Sequence, residues 1–98
     1  MDREQGAKLQ VSVKYYNIVA DFLGRRKEMR AVAAGTTIRD FVAALASESA
    51  SFRRLAFTAE GKVSGHLRLF RNGQAVLDLD EPLAANDEIR VFPTISGG

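Results

Sequence analysis

Thr37-Ile38-Arg39-Asp40-Phe41-Val42-Ala43-Ala44-Leu45 decides the fold. Ile38, Phe41, Val42 and Leu45 recur at the i, i+3, i+4, i+7 spacing, which draws one apolar stripe about two turns long down a helix. Thr37, followed three residues later by Asp40, makes a capping box with aspartate in place of the preferred glutamate. Ala34-Gly35 turns the chain ahead of this helix, and Ser47, Ser49 and Ser51 end it.

Upstream, Lys8 to Tyr15 alternates cleanly, with Leu9, Val11, Val13 and Tyr15 facing one way and Lys8, Gln10, Ser12 and Lys14 the other. That is a half-buried strand. Tyr16 to Gly24 is apolar without period-2 order and predicts a loop or short helical turn. Arg26 to Val32 predicts a weaker strand whose charged face suits an exposed edge. Downstream, Phe52 to Gly65 predicts no regular structure beyond a turn at Glu60-Gly61-Lys62. His66 to Arg71 alternates around Leu67 and Leu69, and Gln74 to Leu79 puts Ala75, Leu77 and Leu79 in register. Asn72-Gly73 between them is a hairpin signal, because both central residues of that turn need positive φ. Asp80 to Asp87 is a polar turn. Glu88 to Phe92 is the closing strand, with Ile89 and Val91 inward, and Pro93 removes a backbone donor and tends to end ladder pairing.

The order strand, strand, helix, strand, strand, strand predicts an α+β domain: a mixed four- to five-stranded sheet covered on one face by one main helix. This is the β-grasp, or ubiquitin-like, arrangement, with the first and last strands parallel at the sheet centre. Residues 1–93 are expected to form the single domain and 94–98 a flexible C-terminal tail.

Composition narrows the function. The chain has 98 residues, no cysteine and a formal charge of +2. Disulfides, thiolate metal sites and a sulfur relay on the chain itself are excluded. Arg25-Arg26-Lys27, Arg53-Arg54, and Arg68 with Arg71 are short basic groups, too sparse for the footprint of a nucleic-acid binder. No segment has the length of a membrane span, and Met1 to Lys8 is too polar for a secretory signal, so a soluble cytoplasmic protein is expected. His66 stands without a ligand set and reads as structural or surface. Asp78, Asp80 and Glu81 read as turn chemistry beside Pro82. With no phosphate loop and no nucleophile–base pair, the sequence points to no catalysis, bound cofactor or metal of its own.

Ile95-Ser96-Gly97-Gly98 follows the closing strand. Two glycines make a narrow thread without side chains, able to enter a confined site and carrying one reactive group, the Gly98 carboxylate. Together with Leu69-Phe70-Arg71-Asn72-Gly73, the segment Asp78 to Ile89 and the run Val91-Phe92-Pro93-Thr94-Ile95-Ser96-Gly97-Gly98, this resembles the MoaD/ThiS family of sulfur-carrier proteins. The resemblance is close over the second half of the chain and rests on element order in the first. The Phe92-Pro93 step is most similar to the small subunit of molybdopterin synthase. Asn86 departs from the family pattern, standing where glycine is frequent; asparagine also tolerates left-handed turns. The longer middle segment is a second departure.

The resemblance implies that an E1-like enzyme uses ATP to adenylate the Gly98 carboxylate. A sulfurtransferase or other sulfide source then leaves a thiocarboxylate, which an acceptor enzyme such as the molybdopterin synthase large subunit consumes. On this view Gly98 carries the adenylate and then the sulfur, Gly97 keeps the thread narrow, and Ser96 is a further tail residue at the partner. Ile95 and Phe92 are candidate partner contacts, Pro93 sets the exit direction, and Phe70 points to the outer sheet face as part of a docking patch. Alternatives stay open: sulfur delivery to cysteine, methionine, thiamin or siderophore synthesis; a ubiquitin-like modifier joined to lysines through Gly98; or a β-grasp binding module whose glycines are incidental.

Overall fold

A computed structural model of the chain describes residues 8–94. Five strands form one sheet: β1 (Lys8–Tyr15), β2 (Lys27–Ala33), β3 (Leu67–Arg71), β4 (Gln74–Ala75) and β5 (Glu88–Pro93), in the order β2-β1-β5-β3-β4. β1 and β5 run parallel at its centre, and their neighbours pair antiparallel. Three helices cover one face: α1 (Ile18–Leu23), α2 (Ile38–Ala46) and α3 (Ala50–Ala56). The architecture is the β-grasp expected from the sequence.

The core lies between the helices and the inner sheet face. Val11, Val13, Tyr15, Leu67, Leu69, Ile89 and Val91 from the strands meet Ile38, Phe41, Val42 and Leu45 from α2. Burial of each such side chain is worth roughly 1.5–3 kcal/mol, so the α2 stripe is the main attachment of helix to sheet. The Thr37 Oγ1 accepts the Asp40 N–H at 3.0 Å, and the Asp40 carboxylate accepts the Thr37 N–H at 3.3 Å, closing the capping box. Thr37→Ala is expected to cost about 1 kcal/mol of stability, read as a lower urea midpoint with unchanged m-value.

Two stretches differ from the sequence expectation. Ser47 closes α2 as expected, but the segment from Phe52 is not irregular throughout: the Ser49 side chain accepts the Phe52 N–H at 3.1 Å and starts α3, which buries Phe52 and Ala56. The stripe of α3 is too short for periodicity to reveal. β4 stops at Ala75, and Leu77, read in register with Ala75 and Leu79 on a strand, is 94% exposed. After a last bond from the Val76 N–H to the Leu69 carbonyl at 3.0 Å, the chain leaves β3 for the start of α2, where the Glu81 and Leu79 carbonyls accept the Ile38 and Arg39 N–H groups at 3.0 and 2.9 Å. Those N–H groups have no partner inside their own helix, so capping them outcompetes two more residues of edge ladder.

β2 is an edge strand, as expected, and inward-pointing charges guard it. Glu28 accepts from Arg25 at 2.9 Å and Arg30 at 3.1 Å, Glu48 accepts from the same two at 2.7 and 2.6 Å, and the Tyr15 hydroxyl donates to Glu28. Burial, then the Glu28 carboxylate, pushes the Tyr15 hydroxyl above its ordinary range.

Candidate functional site

Ile95, Ser96, Gly97 and Gly98 lie outside the described residues, so the site is built from what leads to them. β5 is held on both sides. On one side the Ser12 N–H donates to the Asp87 carbonyl at 2.9 Å and the Tyr16 N–H to the Val91 carbonyl at 3.1 Å. On the other, the Asn72 N–H donates to the Glu88 carbonyl at 2.8 Å and the Thr94 N–H to the His66 carbonyl at 2.9 Å. The β3 ladder therefore passes Pro93 rather than ending there. Pro93 faces Leu67 at a position between these hydrogen-bonded pairs, so its missing N–H costs the ladder nothing. The base of the tail is the central strand of the sheet.

Phe92 belongs to the outer sheet face, away from the core. Its ring stacks on Tyr16, centroids 4.1 Å apart and planes 10° from parallel, and meets Phe70 edge-on at 5.6 Å and 81°. Phe70 and Phe92, both drawn from the sequence, thus come together immediately before Pro93, and all three rings are part exposed. Tyr16 is the member that sequence reasoning missed. The available signal was parity: Tyr16 continues the outward phase of Ser12 and Lys14, one step past the last residue of β1.

A second missed residue is Asp87, 5% exposed at the mouth of β5. Its carboxylate accepts from the Arg71 guanidinium at 2.9 Å, the Ala84 N–H at 2.8 Å and the Asn72 amide at 2.9 Å. The Asn72 side-chain oxygen in turn accepts the Glu88 N–H at 2.9 Å. Burial works against the charge on Asp87, but the three donors outweigh it and hold its carboxyl below the ordinary range. Asn72 and Gly73 have φ of 53° and 86°, the hairpin turn read from the sequence, and Asn86 takes a left-handed φ of 69°. This lock fixes the hairpin and the turn before β5 against the start of that strand.

The remaining candidates have structural roles. Asp78 accepts the Asp80 N–H at 2.9 Å within its turn, and Asp80 pairs with Arg39 at 2.9 Å on the surface. The His66 backbone serves the ladder and its side chain is exposed. Among the described residues, no group of three histidine or acidic side chains is placed to hold a metal, and no helix is long and apolar enough to cross a membrane.

A model described as the ThiS family matches residues 13–98. Small archaeal modifier protein 1 of Haloferax volcanii is 32% identical over 85 residues, 87% of this chain and 97% of that protein. A crystal structure of that modifier superposes with a TM-score of 0.78 at 30% identity, covering 91% of this chain and 99% of the other. A putative molybdopterin converting factor, subunit 1, from Pyrococcus furiosus superposes with a TM-score of 0.73 at 23% identity, covering 89% and 99%, and shares the fold.

Proposed function

The chain belongs to the ThiS family, and from that premise we propose that it is a sulfur carrier working through a thiocarboxylate on Gly98. Members of this family are small carrier or modifier proteins without a catalytic site of their own. The supporting observation is that the family match runs through residue 98, so the Gly-Gly end lies inside the matched region, three residues beyond the central strand in sequence.

The chemistry follows from the state of the carboxylate. At neutral pH it is ionised and a poor electrophile. A carboxylate oxygen attacks the α-phosphorus of ATP on an E1-like partner, pyrophosphate leaves, and the acyl carbon becomes an adenylate. A sulfide equivalent then displaces AMP and leaves the thiocarboxylate, whose sulfur is a good nucleophile. The Phe92-Pro93 step favours insertion of that sulfur into a molybdopterin precursor as the destination, with a large-subunit acceptor enzyme as the consuming partner. Phe92, Tyr16 and Phe70 are the docking face in this scheme, and Pro93 directs the exit of the thread.

The relation to a protein named as a modifier supports a second reading, in which the activated Gly98 is transferred to a lysine amine. Intact-mass analysis of protein isolated from its native cell without reductant separates the two. Carriage of sulfur predicts replacement of one terminal oxygen by sulfur; modification predicts a ladder of larger conjugates ending in Gly98. Neither product, in cells whose sulfur-dependent cofactors also survive loss of Gly98, sinks both readings.

A further inference from the structure

The helix layer carries a groove that the fold itself does not use. It holds about 920 Å³ and lies between α2, α3 and the turn at residues 58–61. Ala43, Ala46, Ala50 and Phe57 give it an apolar lining, and Arg53 and Arg54 are its charged groups, with no carboxylate beside them. The turn that forms one wall is fixed, because the Thr58 N–H donates to the Lys62 carbonyl at 2.7 Å and the Lys62 N–H to the Thr58 Oγ1 at 3.2 Å. Arg25, Arg30, Arg39, Arg71 and Arg90 each reach a carboxylate within the fold, whereas among the described residues Arg53 and Arg54 reach none. Even Glu60, next in the chain to Gly61 on the groove wall, pairs with neither. Cations in the last turn of α3 suit the helix dipole, but the dipole does not ask for a shared groove free of acids.

From this we infer that the groove between α2 and α3 docks a short acidic segment of a partner protein with apolar residues at its centre. The alanines leave room for the larger apolar side chains of such an occupant, and Phe57 gives them a ring to cover. Its carboxylates meet the two guanidiniums, whose planar forks take a carboxylate through paired hydrogen bonds. The same charge matching steers the encounter and rejects basic segments. The helices cover the inner sheet face and Phe92 lies on the outer one, so the groove stays open while Gly98 is engaged, whichever enzyme receives the thread. A single-stranded nucleic acid is the competing occupant for unpaired arginines. It is disfavoured because one ring and two cations fall short of the stacking platform and continuous charged track that such a strand uses.

The test is selection of displayed random peptides of about twelve residues on the full chain, followed by titration of the most enriched peptide into the isotope-labelled chain. The enriched sequences are expected to be net acidic, with carboxylates flanking apolar residues. The titration is expected to move the backbone amide resonances of Ala43, Ala50, Arg54 and Phe57 and to leave those of Tyr16 and Phe92 in place. Arg53→Glu/Arg54→Glu is expected to weaken the peptide by about tenfold or more at about 50 mM salt and by less at about 300 mM. Ala43→Trp fills the exposed floor without a change of charge and is expected to weaken it by about tenfold at both. Circular dichroism and thermal melting establish that the variants are folded, and the two act through separate elements, so misfolding of one leaves the other to decide. Enriched sequences without an acidic excess, shifts confined to the sheet face of Phe92, or a folded variant that binds as the parent does overturns the inference. So does an oligouridylate that occupies the groove more tightly than any selected peptide.

Discussion

Deletion of Gly98 is expected to lower ATP–pyrophosphate exchange by at least about a hundredfold. Each extended residue spans at most about 3.3–3.6 Å, so the shortened chain presents its carboxylate one full residue short of the α-phosphorus. A misplacement of even about 1 Å costs catalysis around a hundredfold when the reacting geometry is set by docking elsewhere. Here the docking end is rigid: β5 is bonded on both sides, and Phe92 is clamped between Tyr16 and Phe70. A rigid base cannot slide forward to make up the missing length. The core cluster is complete between Val11 and Val91, so the melting temperature of the truncated protein is expected to match the parent. Gly97→Val is expected to fail in the same assay for a different reason, because a branched side chain widens the thread. Full exchange by the Gly98 deletion would mean that the length of the thread does not set the position of the reacting carboxylate.

The fold was legible in the sequence wherever one physical signal acted alone. α2 shows a complete stripe and its cap, β1 an unbroken alternation, and Asn72-Gly73 the positive φ its turn requires. It was misread where two signals compete. Ser49 is both a helix terminator by propensity and a helix starter by its side-chain oxygen, and only the packing of Phe52 decides for the second. Gln74 to Leu79 alternates like a strand, yet the unpaired N–H groups of Ile38 and Arg39 draw that segment away. The candidate site follows the same division. Gly98 and the Phe92-Pro93 step are visible as residue types in order, whereas the Tyr16 stack joins residues 76 positions apart and depends on the parallel pairing of β1 with β5.

Asp87→Ala is expected to destabilise the protein by about 2–4 kcal/mol at neutral pH. The substitution strands the Asn72 amide and the Ala84 N–H and leaves Arg71 with Glu81 alone, at 3.2 Å. The effect has a pH signature with a determined sign. The folded carboxyl of Asp87 lies below the unfolded value of about 3.9, so its contribution is complete above that value and is lost as pH falls through the folded one. Urea midpoints of parent and variant are therefore expected to differ by a constant amount from about pH 7 to 5 and to converge below about pH 4. Subtracting the variant cancels the other carboxylates held low by ion pairs, Glu28, Glu48 and Asp80, because none of them contacts Asp87. Asp87→Asn is expected to fall between the two, since its amide keeps one acceptor oxygen but turns an NH2 towards donors that need the other. A midpoint shift that stays flat from pH 7 to 3 would show that Asp87 contributes by shape and not by charge. A pH-dependent shift has a functional corollary, because the carboxylate then locks the hairpin of Phe70 to the start of β5. Loosening that lock should disturb the aromatic base of the thread before it disturbs the helices.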